Sequence, residues 1–169
     1  MFKIYASSSD IDYIPSDTAT LIISKGDLHP IWDDVDRICD TYGCMAIYGS
    51  KEHCDALRKH HPMVFRYHTA KANCNWLSHG KYDQASILRP SNETNKHVYN
   101  PFITEWNNPN TQHSLESFLI RQYTNKGSVV FDPYGDWDIF RTAIDMERRY
   151  IGIQPDTRLR EKMVGYANI

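Results

Sequence analysis

Two short apolar runs, each closed abruptly by turn-forming residues, constrain this chain more than anything else in it. Thr18-Ala19-Thr20-Leu21-Ile22-Ile23-Ser24 stops at Lys25-Gly26-Asp27, and Ser128-Val129-Val130-Phe131 stops at Asp132-Pro133. Compact runs rich in β-branched residues, with no polar alternation, are the pattern of strands buried on both faces. Such strands need helices above and below them, and the intervening sequence supplies helical spacing. From Pro30 to Tyr42 the apolar positions Ile31, Trp32, Val35, Ile38 and Cys39 recur at three and four residues, with Gly43 as a stop. Ser114 to Thr124 carries Leu115, Phe118, Leu119 and Tyr123 at the same spacing, and Asp138 to Arg148 and Pro155 to Tyr166 read as two further helices. Additional strands are expected at Phe2 to Tyr5, Cys44 to Tyr48, Val64 to His68, Ala85 to Leu88 and Tyr150 to Gln154. Ser7 to Asp10 reads as a polar turn, and Gly49-Ser50 as a turn opening a short helix from Lys51 to His60. Residues 69–84 and 89–113, rich in Asn, Ser, Thr, His and Pro, read as long surface loops. Strands alternating with helices define an α/β fold, a mostly parallel sheet with helices on both faces. Without an internal repeat, low-complexity tract or linker, residues 1–169 are expected to form one domain.

Composition then narrows the function. With 19 Lys+Arg against 21 Asp+Glu, the chain lacks the strong positive field of proteins that hold nucleic acid by bulk electrostatics. It has no apolar run of the roughly 18–20 residues a membrane helix needs, and its first residues, MFKIYASSSD, do not resemble a signal peptide. An intracellular, cytoplasmic protein without membrane contact is expected. Cys39, Cys44, Cys54 and Cys74 form no CxxC pair, and His53, His60, His61 and His68 fit no zinc spacing, so no metal is expected and the thiols read as small core fillers. His60 and His61, just before Pro62, read as an exposed helix end.

In open α/β sheets ligands bind at the carboxyl ends of strands, near a reversal of strand order. The segments around these ends carry a resemblance. Thr111-Gln112-His113-Ser114-Leu115-Glu116, then Gly127 to Tyr134 ending in Asp132-Pro133-Tyr134, then Glu147-Arg148-Arg149-Tyr150-Ile151-Gly152-Ile153-Gln154, lie in the order of a TQKPLE segment, a strand ending in DPF and a GRRFIGIE segment. The chain thereby resembles the DNA amino-methyltransferases that act on adenine N6 or cytosine N4, in the permuted order with the DPPY half before the S-adenosylmethionine half. The resemblance spans nearly the whole chain. Ser16 to Ile23 sits where the family has its DLIITDPPY strand, and Met45 to Ser50 where it has a core strand above the cofactor cleft. It implies a Rossmann-like methyltransferase fold. It also implies S-adenosylmethionine contacts at Thr111, Gln112, Asp132, Pro133, Tyr134, Gly135 and Gln154, and a catalytic position at Lys25, Gly26, Asp27 and Leu28.

The departures from the family fall where the chemistry should be. DPPY directs an oxygen acceptor and a proline carbonyl at the exocyclic amine of a flipped base and stacks an aromatic ring on it. Here the position reads Lys25-Gly26-Asp27-Leu28, in which lysine cannot accept from an amine and leucine has no π-face. Sliding to Asp27-Leu28-His29-Pro30 recovers an acid away from the strand end. After its DPF the family has a small, glycine-rich turn against the cofactor, whereas this chain has Gly135-Asp136-Trp137-Asp138. Gln154 replaces the ribose-binding glutamate and keeps hydrogen-bonding capacity. The same residues have plainer roles: Asp132 as a cap of the following turn, Trp137 as a plug in a vacated cofactor pocket, Lys25 as a solvated side chain, Tyr48 and Trp32 as core or rim, and Thr111 and Gln112 as a helix entry. Lys126, Arg141, Arg148, Arg149, Arg158 and Arg160 read either as a phosphate-facing surface or, more simply, as a solvated helix face.

Three functions compete on this basis. The first is a catalytically degenerate methyltransferase-like protein that acts by binding a host or cognate protein, or DNA or other nucleic acid, as a phage or mobile-element accessory factor would; self-association into a homo-oligomer is compatible with it. The second is a diverged active enzyme using Asp132 and Gln154 for S-adenosylmethionine and Asp27 or His29 at the target. The third keeps the fold and runs acid–base chemistry through Lys25, Asp27, Asp136 and Asp138. The position of Trp137 relative to Asp132 is expected to separate the first from the others. At this length there is room for a methyltransferase core and little room for a separate target-recognition domain.

Overall fold

The computed structural model of the chain describes residues 1–49, 56–57, 59–60, 64–72, 84–90, 105–106 and 115–169. Eight strands form one sheet: β1 (Phe2–Tyr5), β2 (Ala19–Ser24), β3 (Cys39–Tyr48), β4 (Val64–Ala72), β5 (Gln84–Pro90), β6 (Glu105–Trp106), β7 (Val129–Asp132) and β8 (Arg149–Ile153). Their order is β1-β8-β7-β2-β3-β5-β4-β6. The first five in that order run parallel, whereas β5 is antiparallel to both β3 and β4. Besides the helical residues 56–57 and 59–60, four helices accompany the sheet among the described residues: α1 (Trp32–Ile38), α2 (Leu115–Tyr123), α3 (Trp137–Asp145) and α4 (Thr157–Ala167). This is the mostly parallel α/β architecture that the alternating pattern predicts.

The two apolar runs occupy the middle of the sheet for a physical reason. Leu21, Ile22, Ile23, Val130 and Phe131 are fully buried, because successive side chains of a central strand enter opposite cores. Ile22 and Phe131 face one core with α1, whose Trp32, Val35 and Ile38 pack there. Leu21, Ile23 and Val130 face the other, built from Leu115, Leu119 and Ile120 of α2, Ile139, Phe140 and Ala143 of α3, and Met163 of α4. Phe140 is its aromatic centre, edge-on to Phe2, Tyr150 and Tyr166 at centroid distances of 6.0, 5.0 and 6.4 Å. From β2 the chain moves to β3 on one side, and from β7 to β8 on the other, so strand order reverses between β2 and β7. That seam is where an open α/β sheet presents its ligand crevice.

Several local expectations are corrected. The helix predicted from Pro30 to Tyr42 starts as a single 3₁₀ turn (His29–Ile31) and ends at Ile38, and Gly43 lies inside β3 rather than at a helix stop. Its last turn is closed by tertiary contacts: the carbonyls of Arg37 and Ile38 accept from the amides of Asp17 and Thr18 at 2.9 Å each. Ser7 to Asp10 is more than a turn, since Ser7 and Asp10 form a capping box that opens a 3₁₀ helix over Ser8–Tyr13. Parts of the two expected loops are strand, in β4, β5 and β6. Of the helix expected from Lys51 to His60, residues 56–57 and 59–60 are helical, and the rest lies outside the described residues. Cys39 and Cys44 are buried free thiols, whereas Cys54 and Cys74 lie outside the described residues. Among the described residues no helix is long and apolar enough to cross a membrane.

Phe140→Ala should remove the shared partner of four aromatic rings, Phe2, Trp137, Tyr150 and Tyr166. A loss of about 4 kcal/mol in urea unfolding is expected, from the usual cost of emptying a buried aromatic site.

Candidate functional site

The site is built from the strand ends at the β2/β7 seam, with the end of β8 beside them. β2 ends in Ser24, which is fully buried and folds back on the chain: its hydroxyl accepts from the Gly26 amide at 3.1 Å and donates to the Gly26 carbonyl at 2.9 Å. This tight turn directs Lys25 inward. Its Nζ lies 3.0 Å from Glu116 Oε1 and 3.0 Å from Asp136 Oδ1, and 5.4 Å from the centroid of the Tyr48 ring. The side chain is only 14% exposed, so it is not the solvated lysine that the sequence suggests. Burial by itself would lower its pKa, but the carboxylates of Glu116 and Asp136 more than reverse that and leave it raised. The lysine is therefore a fixed cation joining β2, α2 and the entry of α3.

Gly26 lies under the ring of Tyr134; a Cβ at this position would sit 2.6 Å from the ring edge. The Tyr134 hydroxyl donates to the Asp27 carbonyl, so the residue after β7's Asp132-Pro133 is bonded to the residue after β2's Lys25-Gly26. Asp27 itself is exposed and its carboxylate accepts from the His29 amide at 3.0 Å, which opens the 3₁₀ turn. Leu28 is fully buried in the α1-side core. Of the four residues that the resemblance expects at the catalytic position, one is a buried cation, one lies under an aromatic ring, one faces solvent and one is core.

Asp132 ends β7 with no exposed surface. Its Oδ1 accepts from the amides of Tyr134 and Gly135 at 3.0 Å each, and its Oδ2 from the Asp136 amide at 2.6 Å and the Tyr150 hydroxyl at 3.1 Å. Complete burial outweighs these donors and pushes its pKa up to about 7. Burial likewise lifts the Tyr150 phenol well above its usual range, with the Asp132 charge adding to it. The turn that Asp132 organises needs its glycine: Gly135 has φ +59°, and a Cβ there would meet the Ile153 carbonyl oxygen at 2.5 Å. Asp136 follows as the cap of α3, accepting from the amides of Asp138 and Ile139 at 2.9 and 3.1 Å while holding Lys25. Pro133 is buried. At the end of β8, Gln154 donates to the Gly135 carbonyl at 2.7 Å and accepts from the Asp156 amide at 2.9 Å, so both ends of its amide are engaged by backbone.

Trp137 does not plug this site. Its ring lies against α4, with Lys162 Nζ 3.7 Å from the ring centroid and Tyr166 edge-on at 5.4 Å. Tyr134 is the aromatic residue that lies over Gly26 at the seam. Asp138 pairs with Arg141 at the surface at 3.8 Å, away from the Lys25 cluster. Thr111 and Gln112 lie outside the described residues. The structure thus brings together Lys25, Gly26, Asp27, Asp132, Tyr134, Gly135 and Gln154, and adds Glu116, Tyr48 and Tyr150. Glu116 closes the TQKPLE-like segment without being assigned a role there, and its signal is positional: an acid on the same helical stripe as Leu115, Leu119 and Ile120 must find a buried partner. Among the described residues no three His, Cys, Asp or Glu side chains gather as metal ligands.

Compared with known proteins, the chain matches no family profile and no curated sequence. It is similar in structure to a Thermus thermophilus protein assigned as a DNA modification methylase and solved with S-adenosyl-L-methionine, with TM-score 0.74 and 14% identity over 99% of this chain and 95% of that one. It is also similar to M1.HpyAVI in its S-adenosylmethionine complex, with TM-score 0.67 and 17% identity over all of both chains. The cytosine-N4-specific PvuII DNA methyltransferase gives TM-score 0.63 and 12% identity over 99% of this chain and 91% of that one. The fold is therefore the Rossmann-like α/β fold of these methyltransferases.

Lys25→Met should leave the carboxylates of Glu116 and Asp136 facing each other without their cation. A loss of about 3 kcal/mol in denaturant unfolding is expected. Asp132 generates a pH prediction. Its native carboxyl holds a proton more tightly than the unfolded one, so its contribution is fully present below the ordinary carboxylate range and is lost as pH rises through about 7. In urea-midpoint measurements from about pH 4 to about pH 8, wild type should lose stability relative to Asp132→Asn as pH rises.

Proposed function

We propose that this protein has kept the methyltransferase framework and works by binding a partner protein, without transferring a methyl group. Trp137 leaves the Asp132 strand end unfilled, so it does not support this reading; the observation that carries it is the tying of the two seam strands to each other, through Lys25 with Asp136 and Glu116 and through Tyr134 with Asp27. Methyl transfer to an exocyclic amine needs an acceptor aimed at the amine and a cofactor beside it. At the acceptor position the chain has an ammonium, which only donates. The Asp132 carboxylate and the Gln154 amide, which the family resemblance would assign to S-adenosylmethionine, are engaged by the protein's own backbone and by Tyr150. Those residues do not fit the cofactor while these bonds stand. A protein partner is preferred over nucleic acid because the formal net charge is −2.

A second reading, an active S-adenosylmethionine-dependent enzyme on DNA, draws support from the cofactor carried by two of the similar structures. It requires Tyr134 and Lys25 to swing out of the seam.

Two measurements separate the readings. Calorimetry with S-adenosylmethionine at near-millimolar concentration should show no heat of binding, and labelled cofactor should leave no label on unmethylated duplex DNA. Micromolar binding, or incorporation of label, would establish the second reading in place of the first.

A further inference from the structure

The fold divides the basic side chains of the carboxyl-terminal half. Arg141 pairs with Asp138, Arg160 donates to the carbonyls of Gln154 and Pro155, and Arg158 stands exposed on α4. Lys126, Arg148 and Arg149 instead line one hollow where β7 and β8 begin, at the end of the strands opposite the seam. Two turns meet there and are bonded to each other: the Gly127 amide donates to the Glu147 carbonyl at 3.0 Å, and the Arg149 amide to the Ser128 carbonyl at 2.9 Å. Arg148 is fixed across them. Its Nε and Nη2 donate to the Thr124 hydroxyl and carbonyl at 2.9 Å each, and its Nη1 to the Met146 carbonyl at 2.5 Å. These bonds take three of the five guanidinium N–H groups and set the plane of the fork. The hollow measures about 480 Å³, the size of a small-molecule site. Phe2, Ile144 and Ala167, each half-buried, give it an apolar wall.

Charge in the hollow is unbalanced, with the three cations set against the single carboxylate of Glu147. Glu147 is already matched by Lys126 at 2.5 Å, in an exposed pair that solvent screens. Among the described residues neither Arg148 nor Arg149 has a carboxylate partner. Arg148 is also held where its charge is disfavoured: burial lowers its pKa, the neighbouring Arg121 guanidinium lowers it further, and Glu147 only partly opposes them. An oxyanion brought to the open edge of that fixed fork relieves both effects. We propose that this hollow binds the phosphoryl group of a small phosphate ester, with Arg148 as the fixed fork, Arg149 as the second cation and the apolar body of the ester against Phe2, Ile144 and Ala167. The site goes beyond the partner-binding function and shares no residue with the seam. A phosphate dianion answers two arginines, and its paired oxygens suit a planar fork. A duplex backbone suits the place less well, because a rod laid across these turns would also meet the exposed carboxylates of Asp145 and Glu147.

The test titrates the full chain by calorimetry with phenyl phosphate, inorganic phosphate and phenol, at a mildly alkaline pH where the ester is a dianion. Phenyl phosphate should bind and phenol should give no heat. Inorganic phosphate should bind at least about tenfold more weakly than the ester, because it leaves the apolar wall uncovered; equal affinity would overturn the ester and leave free phosphate as the ligand. Arg149→Gln should weaken phenyl phosphate binding about tenfold, the worth of one charged hydrogen bond. Arg148→Lys keeps the charge but loses the fork, and should weaken it as well. Arg158→Gln on α4 should leave the affinity unchanged. Arg149 is exposed, so circular dichroism of Arg149→Gln should match wild type, and that variant decides the outcome if Arg148→Lys fails to fold. No heat from phenyl phosphate at millimolar concentration, an affinity that survives Arg149→Gln, or duplex DNA displacing the ester from these residues would each overturn the proposal. Binding of S-adenosylmethionine with the ester results intact would remove the earlier functional reading and leave this site standing.

Discussion

The seam between β2 and β7 is held by a buried cation, and much of the local structure follows from that one ion. An ammonium withdrawn from water is tolerable only with opposite charge around it, and Lys25 has carboxylates on two sides at 3.0 Å. Glu116 comes from α2 and Asp136 from the cap of α3, so the pairing sets where both helices begin relative to the sheet. Asp136 accepts from the first amides of α3, and its own amide is held by Asp132. Asp132 gathers the turn around Gly135 and reaches Tyr150 on β8. The network thus crosses from β2 to β7 to β8, joining charge to charge and carboxylate to amide along the strand ends.

The same network decides what the strand ends can do. A carboxylate or amide can recognise a ligand only through lone pairs and protons that the protein has not already taken. In this chain Asp132 and Gln154 stabilise the turn around Gly135. The likeness to DNA methylases is one of backbone shape, and a fold specifies where a site can be while its residues specify what happens there.

Much of the architecture is legible in the sequence. Leu21-Ile22-Ile23 and Val129-Val130-Phe131 announce central parallel strands because consecutive apolar residues rich in β-branching suit a strand covered on both faces. The helix beginning at Leu115 and the strand over Arg149–Ile153 follow from spacing within a residue or so. The end of α1 does not, since it is set by the amides of Asp17 and Thr18 arriving from another element. At the site, the chemistry of the strand-end residues is readable one by one. Asp132 as a turn cap matches one of its expected roles, whereas Lys25 is not solvated and Trp137 is not a plug.

By itself the sequence determined the central strands and the helices that cover them, and which chemical groups stand at the strand ends, because burial pattern and side-chain chemistry are local properties. Only the tertiary structure decided which of those groups meet. Lys25 and Glu116 are far apart in the chain, and whether an ammonium faces water or two carboxylates depends on which helix is laid beside which strand. Tyr134 rather than Trp137 lies over Gly26 because the cap at Asp136 starts a helix that carries the tryptophan to α4 and leaves the tyrosine at the seam. Partnership between distant polar groups is a property of packing, and no periodicity in a sequence encodes it.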